Sequence, residues 1–337
     1  MSNSADSKIH IFLSQAGTFR DIVQPLISGG ASLHIVDGGR NKSTGRLEGK
    51  WRIVFSMFSL HLLKLRHCWR SSDRVLLIGW QAMSILAMMK IGLIKRPQKI
   101  LIIGCFVHSN KVRYFINKVL RLLKFEGLGF ITFSRGESEN LIKNVGMSPS
   151  SVHFHLWRQN LDGRVEPCNV IEGDYIFSGG YSNRDYDLLI SAMQDMKSKL
   201  IIVASSRNDI TKMNGVNINI YRDLDEADFE KLLAQSKLVV LPLHNHGEAC
   251  GQSVLIRTLR NGKPLVVTRH ESVEDYLGMD YPGFVPAGNR AAMRSMVELA
   301  LTDSEFRNGL ASRIKRAAES LDSRGLPSEE ILGFLAD

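Results

Sequence analysis

The sequence contains few cysteines and none of the paired spacings that hold structural metals or disulfide frameworks. Its four cysteines are scattered, and no CxxC pair occurs; they are Cys68, Cys105, Cys168 and Cys250. We therefore expect reduced thiols in a cytosolic compartment. The segment before the first apolar run, 1–8, is short and polar, so we expect no secretory signal.

Sequence signatures of nucleic-acid binding are also absent. There is no RNP-like motif, no zinc finger and no basic stripe interleaved with aromatic residues, which argues against nucleic acid as a partner. The net charge is nevertheless +9, and it is unevenly distributed. Up to Glu166 there are 24 Lys and Arg against 10 Asp and Glu, whereas from Pro167 onward there are 19 against 24. A basic first half is typical of proteins that meet an anionic membrane surface or a phosphorylated substrate.

An uninterrupted apolar run long enough to cross a membrane is missing as well. The stretch 75–94 has the required length, but Gly79, Gln81 and Lys90 interrupt it. A strand, a turn and a helix explain this stretch better than a membrane span does. The chain has 337 residues, of which 44% are hydrophobic, so it is long enough for about two domains with large cores.

One unit near the middle of the second half carries the clearest chemical signal. Two apolar runs, 238–241 and 264–268, predict buried parallel strands, and 250–260 predicts a helix between them. Gly251 allows close approach of the backbone to a ligand, and Gln252 and Ser253 place amides and side-chain donors at the start of the helix. Such a helix end attracts phosphate, and it lies where ligands bind in parallel α/β sheets.

Predicted strands, among them 74–78 and 99–103, and predicted helices, among them 50–69, alternate throughout the rest of the chain. This alternation predicts an α/β protein with two Rossmann-like domains that face each other across a cleft. We predict an N-terminal domain at 1–160, a polar linker at 161–172, a C-terminal domain at 173–320 and a terminal helix at 321–337. The polar loop 40–49 is a candidate acceptor-binding loop.

The predicted helix 111–126 combines five cations with a broad set of apolar residues. That composition is typical of a helix that lies at a membrane interface. An ordinary amphipathic helix whose lysines are solvated has the same composition.

Two acidic motifs and one polar loop contain residue types that commonly bind metal ions. Asp185-Tyr-Asp187 and Asp223-Leu-Asp225 match the D-x-D of metal-dependent transferases, but helix capping by these aspartates is the simpler interpretation. The loop residues His244, His246, Glu248 and Cys250 lack a distant further ligand, so we predict no metal site there.

Three stretches, taken in order, resemble one family. They are FSRGESENLIKNVGMSPSSVHFHLW, IFSGGYSNRDYDLLISA and LVVLPLHNHGEACGQSVLIRTLRNGKPLVVT. Together they are similar to the GT-B glycosyltransferases, and most similar to the large retaining family four, which includes bacterial lipopolysaccharide and exopolysaccharide enzymes. The resemblance runs over most of the chain and implies the GT-B fold.

The resemblance also implies roles for particular residues. Arg184, in the glycine turn with Gly180, falls where the family has a basic residue that holds the donor diphosphate. His108 is similar to a histidine near the donor sugar, and Glu248 stands near the first of two family acidic residues. The second acidic position, on the donor ribose, is occupied here by Arg257. This departure puts the donor identity in doubt.

On the acceptor side, Gly17 and Asp37 lie in loops that the cleft would bring opposite the donor. A fixed cation at Arg184 and the amides at 251–253 would stabilise a departing nucleoside diphosphate without metal. If the reaction inverts the anomeric centre, His108, Asp37 and Asp21 are candidate bases, and a retaining reaction requires none of them.

The sequence therefore predicts a cytoplasmic glycosyltransferase, peripheral at the inner face of the membrane. It would use a UDP- or GDP-linked sugar donor, without a cofactor, and a lipid-linked or polysaccharide acceptor in bacterial surface glycan biosynthesis. Two alternatives remain open: a sugar-nucleotide epimerase of similar architecture, and a non-catalytic GT-B partner or scaffold protein.

Overall fold

The computed structural model describes residues 8–13, 20–35, 65, 67–79, 81–103, 110–157, 172–206, 208–210, 217–244, 250–323 and 327–336. The chain divides into two compact units. The first contains residues 1–155 and 325–337, and the second contains residues 156–324.

The first unit is built on six strands. Its elements are β1 Ile9–Leu13, α1 Arg20–Ser28, β2 Ser32–Ile35, β3 Arg74–Ile78, α2 Gln81–Lys90, β4 Lys99–Ile103, α3 Asn110–Leu123, β5 Leu128–Thr132, α4 Arg135–Asn140, β6 Val152–Phe154 and α11 Pro327–Ala336. A π-helical turn, Leu141–Val145, continues α4. The strands form one parallel sheet in the order β2-β1-β3-β4-β5-β6.

The second unit has a sheet of its own, also with six strands. Its elements are β7 Tyr175–Gly179, α5 Tyr186–Ala192, β8 Lys199–Ala204, β9 Ile218–Arg222, α6 Glu226–Ala234, β10 Leu238–Leu241, α7 Gln252–Arg260, β11 Leu265–Thr268, α8 Glu271–Leu277, β12 Phe284–Val285, α9 Arg290–Thr302 and α10 Ser304–Asp322. The order is β12-β11-β10-β7-β8-β9, and all neighbours are parallel.

The central strands are buried along nearly their whole length because helices cover the sheets. Every residue of β10 and β11 is buried, as is β8 after Lys199. This explains why the strands appear in the sequence as continuous apolar runs rather than as alternating patterns. The predicted strands 74–78, 99–103 and 238–241 are confirmed. The strand, turn and helix predicted for 75–94 are confirmed as β3 and α2.

The last helix, α11, belongs to the first unit although it follows the second in sequence. It packs against α1 and β4, and the Lys99 Nζ donates to the Phe334 carbonyl at 3.0 Å. The Phe334 ring lies over Gly129 of β5, where a Cβ would overlap it. From the sequence we predict a linker at 161–172 and a terminal helix that begins at 321. In the structure α10 continues to Asp322, and the chain returns to the first unit only from residue 325.

In the part of the chain that the structure describes, no helix has both the length and the apolar character that crossing a bilayer requires. The predicted helix 50–69 lies almost entirely outside the described residues, as does most of the linker.

The start of α4 carries a carboxyl group, that of Glu137, whose pKa burial raises. Ser134 Oγ accepts from the Glu137 N–H at 3.2 Å, and Glu137 Oε2 accepts from the Phe133 N–H at 3.1 Å. The pair resembles a capping box, with one difference: Glu137 accepts from the N–H of Phe133, the residue before the N-cap, rather than from the N–H of Ser134 itself. Burial raises the pKa of Glu137 to about 7, while the Phe133 N–H and the nearby Arg113 act in the opposite direction.

We expect this carboxyl to make stability depend on pH. Its pKa is higher in the folded than in the unfolded chain, so its contribution is fully present below about pH 4.5 and is lost as pH rises through about 7. Between about pH 5 and about 8, the melting temperature of the wild type should therefore fall more steeply than that of Glu137→Gln. Glu139→Gln, which alters an exposed carboxylate, is the control. Equal slopes in the wild type and Glu137→Gln would contradict the assignment.

Candidate functional site

The strand order of the second unit determines where a ligand fits. From β7 the chain continues to β8 and β9 on one side, and then to β10, β11 and β12 on the other. The order reverses between β7 and β10, and ligands of open parallel sheets bind at such a switch point, outside the carboxyl ends of the strands. The loop that follows β7 contains Gly180 and Arg184, and the loop that follows β10 leads to Gly251. The two predicted donor-binding loops therefore flank the switch point.

Arg184 is the central charged residue at this edge. It is only 7% exposed, its Nε donates to the Gly179 carbonyl at 3.0 Å, and its Nη1 donates to the Ser182 carbonyl at 2.6 Å. Burial lowers its pKa, although a guanidinium remains charged at neutral pH. Among the described residues no carboxylate is paired with it, so its partners are neutral carbonyl groups.

Gly180 makes room for that guanidinium. Its φ is +121°, which side-chain-bearing residues rarely adopt, and a Cβ at this position would overlap the Arg184 side chain. The Tyr186 hydroxyl donates to the Gly180 carbonyl at 2.6 Å. The turn is thus held from both sides, and the cation is positioned before any ligand arrives.

The turn is fastened to the loop that follows β10. The Asp185 N–H donates to the Pro242 carbonyl at 3.1 Å, and Arg184 forms an isolated antiparallel bridge with Leu243. His244 Nδ1 lies 3.5 Å from Asp185 Oδ2. These contacts bring the predicted phosphate-binding loops together although they are about 65 residues apart in sequence.

The start of α7 supplies the second group of donors. Gly251, with φ +82°, is its N-cap and, as a glycine, makes no side-chain capping hydrogen bond. Gln252 is buried and Ser253 is half-buried. A helix start without a side-chain cap leaves backbone N–H groups for an anion, reinforced by the helix dipole.

A buried cluster anchors the residue that precedes this helix start. The Cys250 N–H donates to Ser272 Oγ at 3.2 Å, and Ser272 Oγ lies 2.8 Å from both the Cys250 carbonyl and His270 Nδ1. His270 also caps α8, because its Nδ1 accepts from the Ser272 N–H. The sequence analysis missed His270 and Ser272, since only the pairing of β10 with β11 brings them beside Cys250.

We expect Ser272→Ala to destabilise the second unit by about 1–3 kcal/mol, because it leaves the buried Cys250 N–H without its acceptor. The measurement is the free energy of unfolding in denaturant. Ser312→Ala is the control, because it removes an exposed hydroxyl that bonds only within α10. A loss no larger than that of the control would show that the cluster does not anchor the loop.

Arg257 lies in the last turn of α7, and its contacts run to α6. Its guanidinium pairs with Glu226 and, at 2.7 Å, with Glu230, and it lies 5.2 Å above the centre of the Phe229 ring. Glu230 also accepts from Asn261 at 2.8 Å. These contacts give Arg257 a structural role, because they join α7 to α6. Its predicted role in donor binding stays a prediction.

If Arg257 serves only to hold α6 against α7, Arg257→Ala should lower stability by about 1 kcal/mol and leave nucleotide affinity unchanged. Arg313→Ala, which breaks the comparable pair with Asp280, is the control for stability. Melting curves with and without nucleotide separate the two effects. A weaker nucleotide-induced shift in Arg257→Ala alone would instead place Arg257 on the donor.

The two D-x-D motifs are confirmed as helix caps at one aspartate each. Asp185 Oδ1 accepts from the Leu188 N–H at 3.1 Å, and Asp225 Oδ1 accepts from the Asp228 N–H at 2.8 Å. In the segments covered by the structure, no three His, Cys, Asp or Glu side chains form a group that could hold a metal ion. Two of the four loop residues with side chains that can bind zinc, His246 and Glu248, lie outside those segments.

Several predicted site residues lie outside the described residues. They are His108, Glu248, Gly17 and Asp37, together with the side chain of Asp21. Their roles stay predictions. The described part of the predicted site therefore comprises Gly180, Arg184, Gly251, Gln252 and Ser253 at the switch point, with Arg257 in the last turn of α7.

Comparisons with solved structures support the fold. No family model and no curated protein matches the chain. Among solved structures, the chain is similar to a glycosyltransferase from Rickettsia africae, with a TM-score of 0.66, 15% identity and coverage of 97% of this chain and 96% of that one. It is also similar to Anabaena HepE in complex with UDP and glucose, with a TM-score of 0.66, 13% identity and coverage of 98% and 99%.

A third similar structure is the sucrose-phosphate synthase from Thermosynechococcus elongatus, with a TM-score of 0.70, 12% identity and coverage of 98% and 97%. Identities this low establish the fold and not the activity. The assignment to family four within the GT-B enzymes stays a prediction. The similarity extends over nearly the whole length of each chain, and both six-stranded sheets are parallel. The predicted α/β fold class is thus confirmed, and the chain has the GT-B fold.

Proposed function

We propose that the protein is a glycosyltransferase that takes its sugar from a nucleoside diphosphate donor bound at the switch point of the second unit. The observation that carries this proposal is the position of Arg184. A buried cation whose described partners are all neutral, beside an uncapped helix start, is suited to an anion that arrives with the substrate. A diphosphate supplies that anion.

The chemistry of glycosyl transfer gives this arrangement its role. As the bond from the anomeric carbon to the diphosphate breaks, negative charge accumulates on the leaving group. A guanidinium fixed by the Gly179 and Ser182 carbonyls stabilises that charge without having to reorganise, and the α7 amides contribute in the same way. Both groups are already in place, so the proposed transfer needs no metal.

We propose a uridine nucleotide as the first donor to test, with a guanosine nucleotide as the second. The HepE structure holds UDP and glucose, which supports this order. His108 and Glu248 remain the proposed catalytic residues near the donor sugar. The proposed acceptor is a lipid-linked or polysaccharide glycan at the cytoplasmic face of the membrane, and the excess of cations in the first half supports it.

The test is thermal stability of the purified protein against a panel of nucleoside diphosphates and nucleotide sugars. A ligand of the folded state at about 100 times its Kd stabilises by about 2.7 kcal/mol, which raises the melting temperature by several degrees. We expect one nucleobase series to do so, followed by release of that nucleoside diphosphate when acceptor is added. If no nucleotide shifts the melting temperature, the proposal fails and a non-catalytic scaffold becomes the better account.

A further inference from the structure

Helix α3 presents two different faces. One face is buried in the first unit and includes Ile116, Leu120 and Leu123. The other face carries large apolar side chains that remain exposed: Tyr114 at 65%, Phe115 at 65% and Leu122 at 71%. Residues 115, 118 and 122 follow the helical repeat and share one side. Burial in the core therefore does not explain these three apolar residues.

Two further exposed apolar side chains follow α2, the helix beside α3. Ile91 is 70% exposed and Leu93 is 49% exposed. Lys90 ends α2, and the connection that follows carries Lys95 and Arg96. The Arg96 guanidinium lies 5.0 Å above the Phe125 ring, just beyond the end of α3. The connection and the end of α3 thus meet, and both combine apolar and cationic side chains.

The cations of α3 have different surroundings. Arg121 donates to the Asn144 carbonyl, and Lys124 Nζ donates to the Gly146 carbonyl at 2.9 Å, so both cap the end of the π-helical turn. Lys118 instead lies on the exposed face, 4.6 Å from the centre of the Tyr114 ring. No acidic residue occurs within α3. Of these three cations, Lys118 is therefore the one whose replacement disturbs the fold least.

We propose that this surface, formed by Tyr114, Phe115, Lys118 and Leu122 of α3 with Ile91 and Leu93, docks on an anionic lipid bilayer. Apolar side chains of this size enter the boundary between headgroups and acyl chains, while lysine and arginine remain at the headgroups. The proposal rests on the proposed location at a membrane and does not depend on donor binding. Charge complementarity selects the occupant, because Lys118 lies on the same side of α3 as Phe115 and Leu122, α3 contains no acidic residue, and Lys95 and Arg96 follow Leu93 closely in sequence.

The experiment measures binding to phosphatidylcholine vesicles with and without phosphatidylglycerol. Three variants are compared with the wild type: Phe115→Ser with Leu122→Ser, Lys118→Glu, and Ile91→Ser with Leu93→Ser. Met279→Ser is the apolar control, because Met279 is 75% exposed in the second unit. Lys315→Glu, on α10, is the charge control. Melting temperatures without vesicles verify that each variant is folded.

We expect the wild type and both controls to bind the anionic vesicles, and to bind pure phosphatidylcholine at least about tenfold more weakly. Each surface variant should lose about tenfold in affinity for anionic vesicles. Failure of the wild type to bind anionic vesicles would overturn the proposal, and so would undiminished binding of all three variants. The nucleotide-induced melting shift, measured in the same samples, tests donor binding separately.

Discussion

In Arg184→Ala, the rate of sugar transfer should fall by about 10²–10³-fold, and the nucleotide-induced rise in melting temperature should disappear. The reason is that the variant removes the fixed positive charge that, in the proposed reaction, faces the developing charge of the leaving group. Arg184→Lys should recover part of the activity, because lysine keeps the positive charge. It lacks the planar guanidinium that donates to both the Gly179 and the Ser182 carbonyls. Steady-state kinetics and melting curves measure the two effects.

Arg294→Ala is the matched control for this experiment. Arg294 also donates to backbone carbonyls of the second unit, those of Ala192 and Gln194, but it lies away from the switch point. Its replacement should cost stability and leave the nucleotide shift intact. If Arg184→Ala behaved as Arg294→Ala does, the guanidinium would serve only to hold the turn.

Gly180→Ala should abolish nucleotide binding while every charged residue of the site remains present. The new methyl group would occupy the space of the Arg184 guanidinium at a backbone angle that alanine rarely adopts. We expect about 2 kcal/mol of destabilisation and a melting temperature lower by roughly 5 °C. Circular dichroism measures stability, and titration calorimetry measures nucleotide affinity.

Gly288→Ala is the control for backbone strain alone, because it does not displace the Arg184 guanidinium. Gly288 also has a positive φ, +69°, but no atom lies within 4 Å of an added Cβ. It should lose about 1 kcal/mol of stability and keep its affinity for nucleotide. Equal affinity in Gly180→Ala and Gly288→Ala would show that the position of Arg184 is not critical.

The sequence predicted the fold well because buried parallel strands appear as continuous apolar runs. The bounds of β3, β4 and β10 agree with the prediction to the residue. The strand order was not predictable in the same way, because it depends on pairing between segments far apart in the chain. For the same reason the switch point between β7 and β10 emerged only from the structure.

The candidate site was predictable where local backbone chemistry decides it. Gly251, expected to allow close approach of a ligand, and Gly180, expected in a glycine turn, both have positive φ. The sequence did not predict that Arg184 is buried or that Arg257 pairs with Glu226 and Glu230, because both depend on which segments pack together. Nor did it predict the cluster of His270 and Ser272, because a histidine and a serine two residues apart at a helix start form no distinctive motif.

The most direct test of the account is a crystal structure of the protein with the nucleoside diphosphate that stabilises it. We predict that the diphosphate lies at the carboxyl ends of β7 and β10, within hydrogen-bonding distance of the Arg184 guanidinium and of amides in the first turn of α7. A nucleotide bound elsewhere, with Arg184 in contact only with the carbonyls of its own turn, would contradict the proposed donor site.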